Sequence, residues 1–302
     1  ENEALPSWIK WTKKILMEEG HTLPQLIHIL QLLVRHPDLY YPCKGQFVPQ
    51  IVSSLPRIGL LSTCPPENRK LTIDLVELII NWEKRRLKAL GIYPEDENSD
   101  APSSETAQSP VPKTNNTAAV IEDAYKPTDG YVMVATNFLV RMVSTTETMR
   151  DGTNYIQRAQ VLLREAFKIW PNVTVKLSYL EGILDTKKQK SQMVHRGLQI
   201  LEVILEHQLK QGATNTLAEL HRVITPALES DDIAVVGRLS SILLNVVKAF
   251  PPQTMVPPSI NFYKCISDTI ESGLQQQEKG KFFSSIIILK TICSAATELL
   301  DH

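Results

Sequence analysis

Four cations at the end of a long apolar segment form the group of residues whose types and spacing best suit a chemical role. Lys84, Arg85, Arg86 and Lys88 lie within five positions of one another. Such a cluster can contact phosphate groups or serve as a nuclear localisation signal. It can also simply end a helix, because cations in the last turns stabilise the helix dipole. The sequence favours the helix-end interpretation and leaves the other two open.

Two further motifs carry weaker signals. Lys187, Lys188 and Lys190 lie in a predicted turn, where solvated side chains are the default interpretation. Ser109 precedes Pro110, which makes it a minimal proline-directed phosphorylation site. Neither motif predicts an activity.

No set of residues in the sequence has the spacing of a catalytic, cofactor or metal site. Nucleophile, zinc-binding, phosphate-binding and calcium-loop motifs do not occur. His195 and His207 lie far apart along one predicted helix, and the four cysteines lack C-x-x-C spacing. We therefore predict a protein without enzymatic activity, cofactor or metal, whose thiols are reduced.

Charge and hydropathy exclude two classes of partner. The formal net charge is −1, so no global electrostatic attraction favours sequence-specific nucleic acid or an acidic membrane. No run reaches the roughly 18 apolar residues that a membrane span requires. The first residues do not resemble a signal peptide, and the abrupt ends predict a piece of a longer protein.

The segment that contains the cations is predicted to form a helix with two apolar sides. On a helical wheel one stripe lies almost opposite a second stripe, and a narrow polar strip separates them. The first stripe is Leu71, Leu75, Leu78, Ile79 and Trp82; the second is Ile73, Val76, Ile80 and Leu87; the polar strip is Asp74, Glu77 and Asn81. A surface helix would show one stripe only, so this helix is predicted to lie between neighbours.

Similar apolar-periodic segments recur along the chain and are separated by short proline-containing turns. They fall near 6–19, 22–36, 44–60, 66–90, 129–147, 152–169, 172–185, 190–211, 214–229, 231–250, 257–278 and 281–300. Twelve helices in six pairs of about 35–45 residues are typical of a HEAT-like repeat array. The predicted fold class is all-α, a HEAT-like α-solenoid.

The fifth pair carries the most diagnostic local pattern. Ser230, Asp231 and Asp232 read as a helix cap, and Arg238 follows within the next helix. In HEAT repeats, which this pattern resembles, the basic side chain can reach the acidic turn of a neighbouring repeat.

One segment breaks the helical pattern. Residues 92–127 contain five prolines and no glycine, and from position 94 onward they carry seven acids and two lysines, a net charge of −5. The remainder of the chain is then near +4, since the whole chain is −1. Low hydrophobicity with unbalanced charge predicts a disordered acidic insertion. The predicted organisation is helix pairs over 1–91, the insertion over 92–127 and helix pairs over 128–302.

Several separated stretches resemble one family. The stretches PQLIHILQLLVRHPDLYYP and RKLTIDLVELIINWEKRR resemble the central helical region of the TRRAP family of transcription-adaptor pseudokinases. The resemblance resumes after the insertion with ATNFLVRMV, IWPNVTVKLSYLEGILDT and VVGRLSSILLNVVKAFPP. It covers nearly the whole chain except 92–127, with the segments in the same order.

The resemblance implies a scaffold segment of a nuclear coactivator in histone acetyltransferase complexes of the SAGA type. The implied partners are other regions of the parent protein, subunits of the complex and acidic transcriptional activators, for which the Lys84–Lys88 cluster is the candidate contact. Two alternatives stay open at this point. One is an unrelated HEAT adaptor in nuclear transport or phosphatase assembly, and the other is the regulatory solenoid of an active PI3K-related kinase.

Overall fold

All regular secondary structure in the described part of the chain is helical. The computed structural model describes residues 6–18, 22–61, 63–93, 125–145, 155–211, 215–251, 257–275 and 279–300. Within these ranges the backbone forms α-helices and short 3-10 helices, with no β-strand. The predicted all-α class is therefore confirmed. None of the helices in these ranges is both long and apolar enough to cross a membrane.

The chain divides into two compact units, of which the first comprises Glu1–Ala135 and Glu165–Val173. Its first five helices are α1 (Ser7–Glu18), α2 (Leu23–Arg35), α3 (Pro37–Tyr40), α4 (Lys44–Gly59) and α5 (Pro66–Ala89), with a 3-10 helix over Tyr41–Cys43. Helix α2 packs against α5, and α1 packs against α4. Since α1 also contacts α2 and α4 contacts α5, two helix pairs stack in two layers.

The second unit comprises Thr136–Arg164 and Thr174–His302. Helices α6 (Asp129–Thr145) and α7 (Tyr155–Ile169) are each divided between the units. The helices that follow are α8 (Glu181–Leu184), α9 (Ser191–Gln208), α10 (Asn215–Leu228), α11 (Ile233–Ala249), α12 (Pro257–Gln275) and α13 (Lys279–Leu300), with 3-10 helices over Leu177–Leu180 and Leu209–Gln211. Helices α8, α10 and α12 form one layer and α9, α11 and α13 the other, and each helix also contacts its partner in the pair. The HEAT-like arrangement of stacked helix pairs is confirmed.

Helix α5 lies inside the first unit, as the wheel predicts. Both apolar stripes are buried, with Leu75 and Ile73 fully excluded from solvent and Trp82 4% exposed. The helix begins with Pro66, at a position where a backbone N–H is not needed. It ends before Gly91, whose φ of 68° is the left-handed conformation that commonly stops a helix.

One predicted helix begins later than expected, at Leu177, and its first turn is a 3-10 helix. The sequence predicts a helix over 172–185, but Val173, Thr174 and Val175 belong to a non-helical segment that precedes the one-turn helix α8. These β-branched residues are poor helix formers. Buried side chains satisfy the backbone there: Asn137 Oδ1 accepts from the N–H of Lys176 at 3.0 Å, and Gln208 Nε2 donates to the carbonyl of Val175 at 3.0 Å.

Of the predicted insertion, residues 94–124 lie outside the described residues, as does the candidate phosphorylation site Ser109. At its C-terminal end Tyr125 packs on Gly45, where an added Cβ atom would come within 2.7 Å of the ring. Pro127 is buried. A glycine at position 45 thus permits the close approach of the Tyr125 ring.

Candidate partner-binding surfaces

The cation cluster occupies the last turns of α5, and its four side chains lie in different surroundings. Lys84 is half-buried and forms an ion pair with Glu165 of α7. The same carboxylate lies 3.8 Å from Lys168. Lys84 therefore joins α5 to α7 within the first unit.

Arg85 remains accessible but is held in place. Its Nη1 lies 2.9 Å from Asp38 Oδ1, and its guanidinium carbon lies 3.9 Å from the centroid of the Tyr41 ring. Tyr41 is buried, so the arginine covers the edge of the core as well as making an ion pair.

Arg86 points inward. Its Nε and Nη2 atoms donate to the two oxygens of Glu83 at 2.8 and 2.7 Å. Both residues are buried, and the pair is bidentate. The sequence signal was the i,i+3 spacing of the two charges on one helix face.

Lys88 is exposed, and its ammonium lies 5.0 Å from the centroid of the Tyr93 ring. The structure therefore does not bring the four cations into one surface. Arg85 and Lys88 are the exposed members and the ones that a partner can reach, whereas Arg86 is part of the core.

A groove runs between α2 and α5 in the first unit, beside Arg85. It has a volume of about 310 Å³ and is lined by Val34, Pro37, Asp38, Asp74, Glu77, Leu78, Asn81, Trp82 and Arg85. The indole Nε1 of Trp82 donates to the carbonyl of Pro37 at 3.1 Å, which fixes the orientation of the ring. The polar strip of α5 thus lies in this groove, with apolar side chains beside it.

The second unit has a corresponding groove between α9 and α11. Its volume is about 350 Å³, and its lining is Glu202, Leu205, Glu206, Leu209, Lys210, Ile242, Asn245 and Ala249. Glu202 forms an ion pair with Arg238 of α11, and Glu206 lies 3.8 Å from Arg164 of α7. Arginines therefore pair with both glutamates of this groove.

The cap predicted before α11 is confirmed. Asp232 Oδ1 accepts from the backbone N–H of Ala234 at 2.8 Å and of Val235 at 3.2 Å. The pKa of Asp232 is lowered below its ordinary value. The largest cause is a hydrogen bond from the Ser191 hydroxyl, and the next is the bond from the Val235 N–H. Because Ser191 begins α9, the capping residue also links α11 to the preceding pair.

The expected partner of Arg238 is corrected in one respect. Its side chain does reach the neighbouring pair, but it meets Glu202 in the body of α9 and not an acidic turn. The cap position sets where α11 begins, and the stacking of α11 on α9 places Arg238 beside Glu202.

Two lysines of the predicted turn form ion pairs, one with a distant residue and one within the turn. Lys187 lies 3.0 Å from Glu229, and Lys188 lies 2.8 Å from Asp185 in the exposed turn before α9. The Lys188 bond lowers the pKa of Asp185. Within the described ranges, no group of three or more His, Cys, Asp and Glu side chains is placed so that it could hold a metal ion.

Sequence reasoning missed the groove between α2 and α5. It found the strip of Asp74, Glu77 and Asn81 on the helical wheel but assigned it no role. The other side of the groove comes from Val34, Pro37 and Asp38, which lie some forty positions earlier. No local pattern relates these two stretches; only the packing of α2 on α5 does.

Fold and packing together define an α-solenoid of the HEAT class, a stack of helix pairs that presents extended helical surfaces. A family model of the Tra1 HEAT repeat ring region matches residues 1–302. The chain belongs to this family. The resemblance to the TRRAP family is thereby confirmed, and an unrelated HEAT adaptor is ruled out.

Curated relatives agree with this assignment. The "Probable transcription-associated protein 1" of Dictyostelium discoideum is 33% identical over 82% of this chain and 6% of its own length. The human "Transformation/transcription domain-associated protein" is 26% identical over 97% of this chain and 9% of its own length. The "SAGA complex/NuA4 acetyltransferase complex subunit TRA1" of Saccharomyces cerevisiae is 26% identical over 89% of this chain and 8% of its own length. The chain thus spans less than a tenth of these relatives, and no solved structure matches it.

Proposed function

We propose that this chain is a scaffold segment of a nuclear transcription coactivator that works within histone acetyltransferase complexes of the SAGA type. In this role it has no catalytic activity of its own and contributes to complex assembly and activator recruitment. The observation that carries the proposal is the match of all 302 residues to one ring region of the family. The names of the relatives, which include a SAGA and NuA4 subunit, supply the kind of complex.

Contact with other regions of the parent protein is supported by the helices α1 and α13. On α13, Phe283 is 58% exposed while the adjacent Ser284 is 3% exposed. On α1, Trp11 is 61% exposed. Exposed aromatic side chains on helices of a repeat array suit further helices packing against them.

Activator recruitment would use Arg85 and Lys88, the accessible cations of α5. Acidic activation segments that fold on binding meet such a surface with modest, salt-sensitive affinity. Arg86 and Lys84 would contribute indirectly, because their ion pairs with Glu83 and Glu165 hold the end of α5 in place.

The experiment is carried out on the full-length parent protein, tagged at its own locus and purified from nuclear extract. We expect it to co-purify with acetyltransferase activity on histones. A preparation without that activity, from which the parent protein is recovered intact, would contradict the proposed complex.

The recruitment part is tested separately with an immobilised acidic activation domain. Arg85→Gln with Lys88→Gln should reduce capture of the parent protein, and the loss should be larger at low salt. The control is Lys10→Gln with Lys70→Gln, which removes the same charge from two other exposed positions. Equal capture of all three forms would place activator contact elsewhere.

A further inference from the structure

The turn before α9 places three lysines next to an accessible serine. Lys187, Lys188 and Lys190 precede Ser191, the first residue of α9, and all four residues are exposed. Lys190 has an extended backbone, with φ of −70° and ψ of 146°. The end of a helix opens at little cost in free energy. An enzyme that binds its substrate as an extended chain can therefore reach the Ser191 hydroxyl.

The Ser191 hydroxyl links two helix pairs. It donates a hydrogen bond to the carboxylate of Asp232. The same carboxylate caps α11 by accepting from the N–H groups of Ala234 and Val235. A group attached to Ser191 Oγ would remove the donor, and a negatively charged group would also repel the Asp232 carboxylate. A covalent change at Ser191 thus acts directly on the contact between α9 and α11.

A second serine, Ser241, has a cation at the same spacing but different surroundings. It is exposed and follows Arg238 by three positions, just as Ser191 follows Lys188. However, Ser241 lies inside the regular helix α11. The side chain of Arg238 is only 31% exposed in its ion pair, whereas that of Lys188 is 79% exposed in its own. Of the two serines, Ser191 therefore has both an accessible backbone and an accessible cation.

We propose that Ser191 is a phosphorylation site for a basophilic serine/threonine kinase and that the phosphate uncouples α11 from α9. The kinase recognises Lys188 and Lys190 by their charge. It transfers the γ-phosphoryl group of ATP: the bond from phosphorus to the oxygen of the leaving ADP breaks, the bond from Ser191 Oγ to phosphorus forms, and the hydroxyl proton passes to the catalytic carboxylate of the kinase.

The phosphate then changes the partners of the Ser191 side chain. It carries a charge of about −1.5 to −2 at pH 7 and faces the Asp232 carboxylate as a like charge. The lysines of the turn and the N-terminus of α9 attract it in the other direction. The start of α11 consequently loses its link to α9. The inference is independent of the proposed coactivator role.

The first experiment tests the modification. The folded 302-residue chain is incubated with ATP and the catalytic domain of protein kinase A or of protein kinase C, and phosphate is located by mass spectrometry of peptides. We expect phosphate at Ser191 and little at Ser241. Lys188→Gln with Lys190→Gln should slow incorporation at Ser191 roughly two- to thirty-fold, since two exposed charge contacts have this strength.

The matched control is Lys10→Gln with Lys70→Gln, which removes two exposed lysines elsewhere and should leave the rate at Ser191 unchanged. The proposal is overturned if neither kinase modifies Ser191 in the folded chain, if Ser241 is modified as fast, or if both lysine variants slow the reaction equally.

The second experiment tests the uncoupling by amide hydrogen exchange of the phosphorylated and the unmodified chain. Exchange over residues 232–236 should become roughly two- to tenfold faster, because one hydrogen bond between helices is lost. In the variant Asp232→Asn, which keeps the shape of the cap but not its charge, phosphorylation should have a smaller effect. Unchanged or slower exchange in the phosphorylated wild type would overturn the uncoupling, as would an equal increase in the variant. Circular dichroism checks that each form is folded.

Discussion

Helices α5 and α13 both carry large apolar residues around most of their circumference, but the two helices differ in how far those residues are buried. In α5 these residues are buried on two sides, against α2 and α4. In α13, Phe282, Phe283, Ile286 and Leu289 are exposed, while Ser284 and Ser285 are buried.

The close approach of α12 and α13 explains which residues α13 buries. A Cβ atom added to Gly273 would lie 1.9 Å from Ser285 Oγ, so the two helices meet through small side chains. Phe282, Phe283, Ile286 and Leu289 remain exposed, whereas Ile288 is buried. The comparison teaches that α5 has its neighbours within this chain, whereas the outer side of α13 is an exposed apolar surface.

The largest expected effect is that of Trp82→Ala in α5. Removing a buried aromatic side chain should lower the free energy of unfolding by roughly 3–5 kcal/mol, measured by denaturant titration of the 302-residue chain. The matched control is Trp11→Ala, since Trp11 is largely exposed and should change the value by less than about 0.5 kcal/mol. Similar losses at the two positions would contradict the burial of α5.

The next effect concerns the buried pair of Glu83 and Arg86. Arg86→Met leaves a buried carboxylate without its bidentate partner and should cost about 3 kcal/mol in the same measurement. Replacing both residues, Glu83→Leu with Arg86→Met, should recover part of that loss because no charge is then left buried. A double variant less stable than the single one would mean that Glu83 makes stabilising contacts besides its pair with Arg86.

A smaller effect is expected at the start of α11. Asp232→Ala removes the helix cap and should cost about 1 kcal/mol at neutral pH. Because the folded-state pKa of Asp232 is lowered, its contribution is present above the ordinary pKa of 3.8 and is lost as pH falls through the folded-state value. The difference between wild type and variant should therefore shrink below about pH 4. A difference that stays constant with pH would argue against a role for the ionised carboxylate.

The smallest effect on stability is expected from the outer side of α13. Phe283→Ser with Leu289→Ser should change the free energy of unfolding by less than about 0.5 kcal/mol, because both side chains are exposed. The same variant should reduce self-association of the chain, followed by sedimentation velocity at rising protein concentration. A loss of several kcal/mol would show that this side of α13 is covered within the chain and would remove the contrast with α5.

Much of the fold could be predicted from the sequence because it follows from local patterns. The two stripes of α5 predicted burial on two sides, and Leu75, Leu78, Ile79 and Trp82 are all buried. Proline-containing turns predicted most helix boundaries, and the Asp232 cap lies where the sequence placed it. The first part of the helix predicted over 172–185 was wrong because Asn137 and Gln208, distant in sequence, bind the extended backbone before Leu177.

The sequence by itself determined the class of fold, the inner position of α5 and the accumulation of cations at its end. Periodicity and capping act over a few residues, so the local amino-acid sequence is enough to predict them. Only the tertiary structure decided that Arg86 turns inward to Glu83, that Lys84 pairs with Glu165, and that Arg85 lies on Tyr41. It also decided that the acidic strip of α5 lines a groove with Val34 and Pro37. These relations depend on which helices stack, and stacking is set by shape and burial over the whole unit.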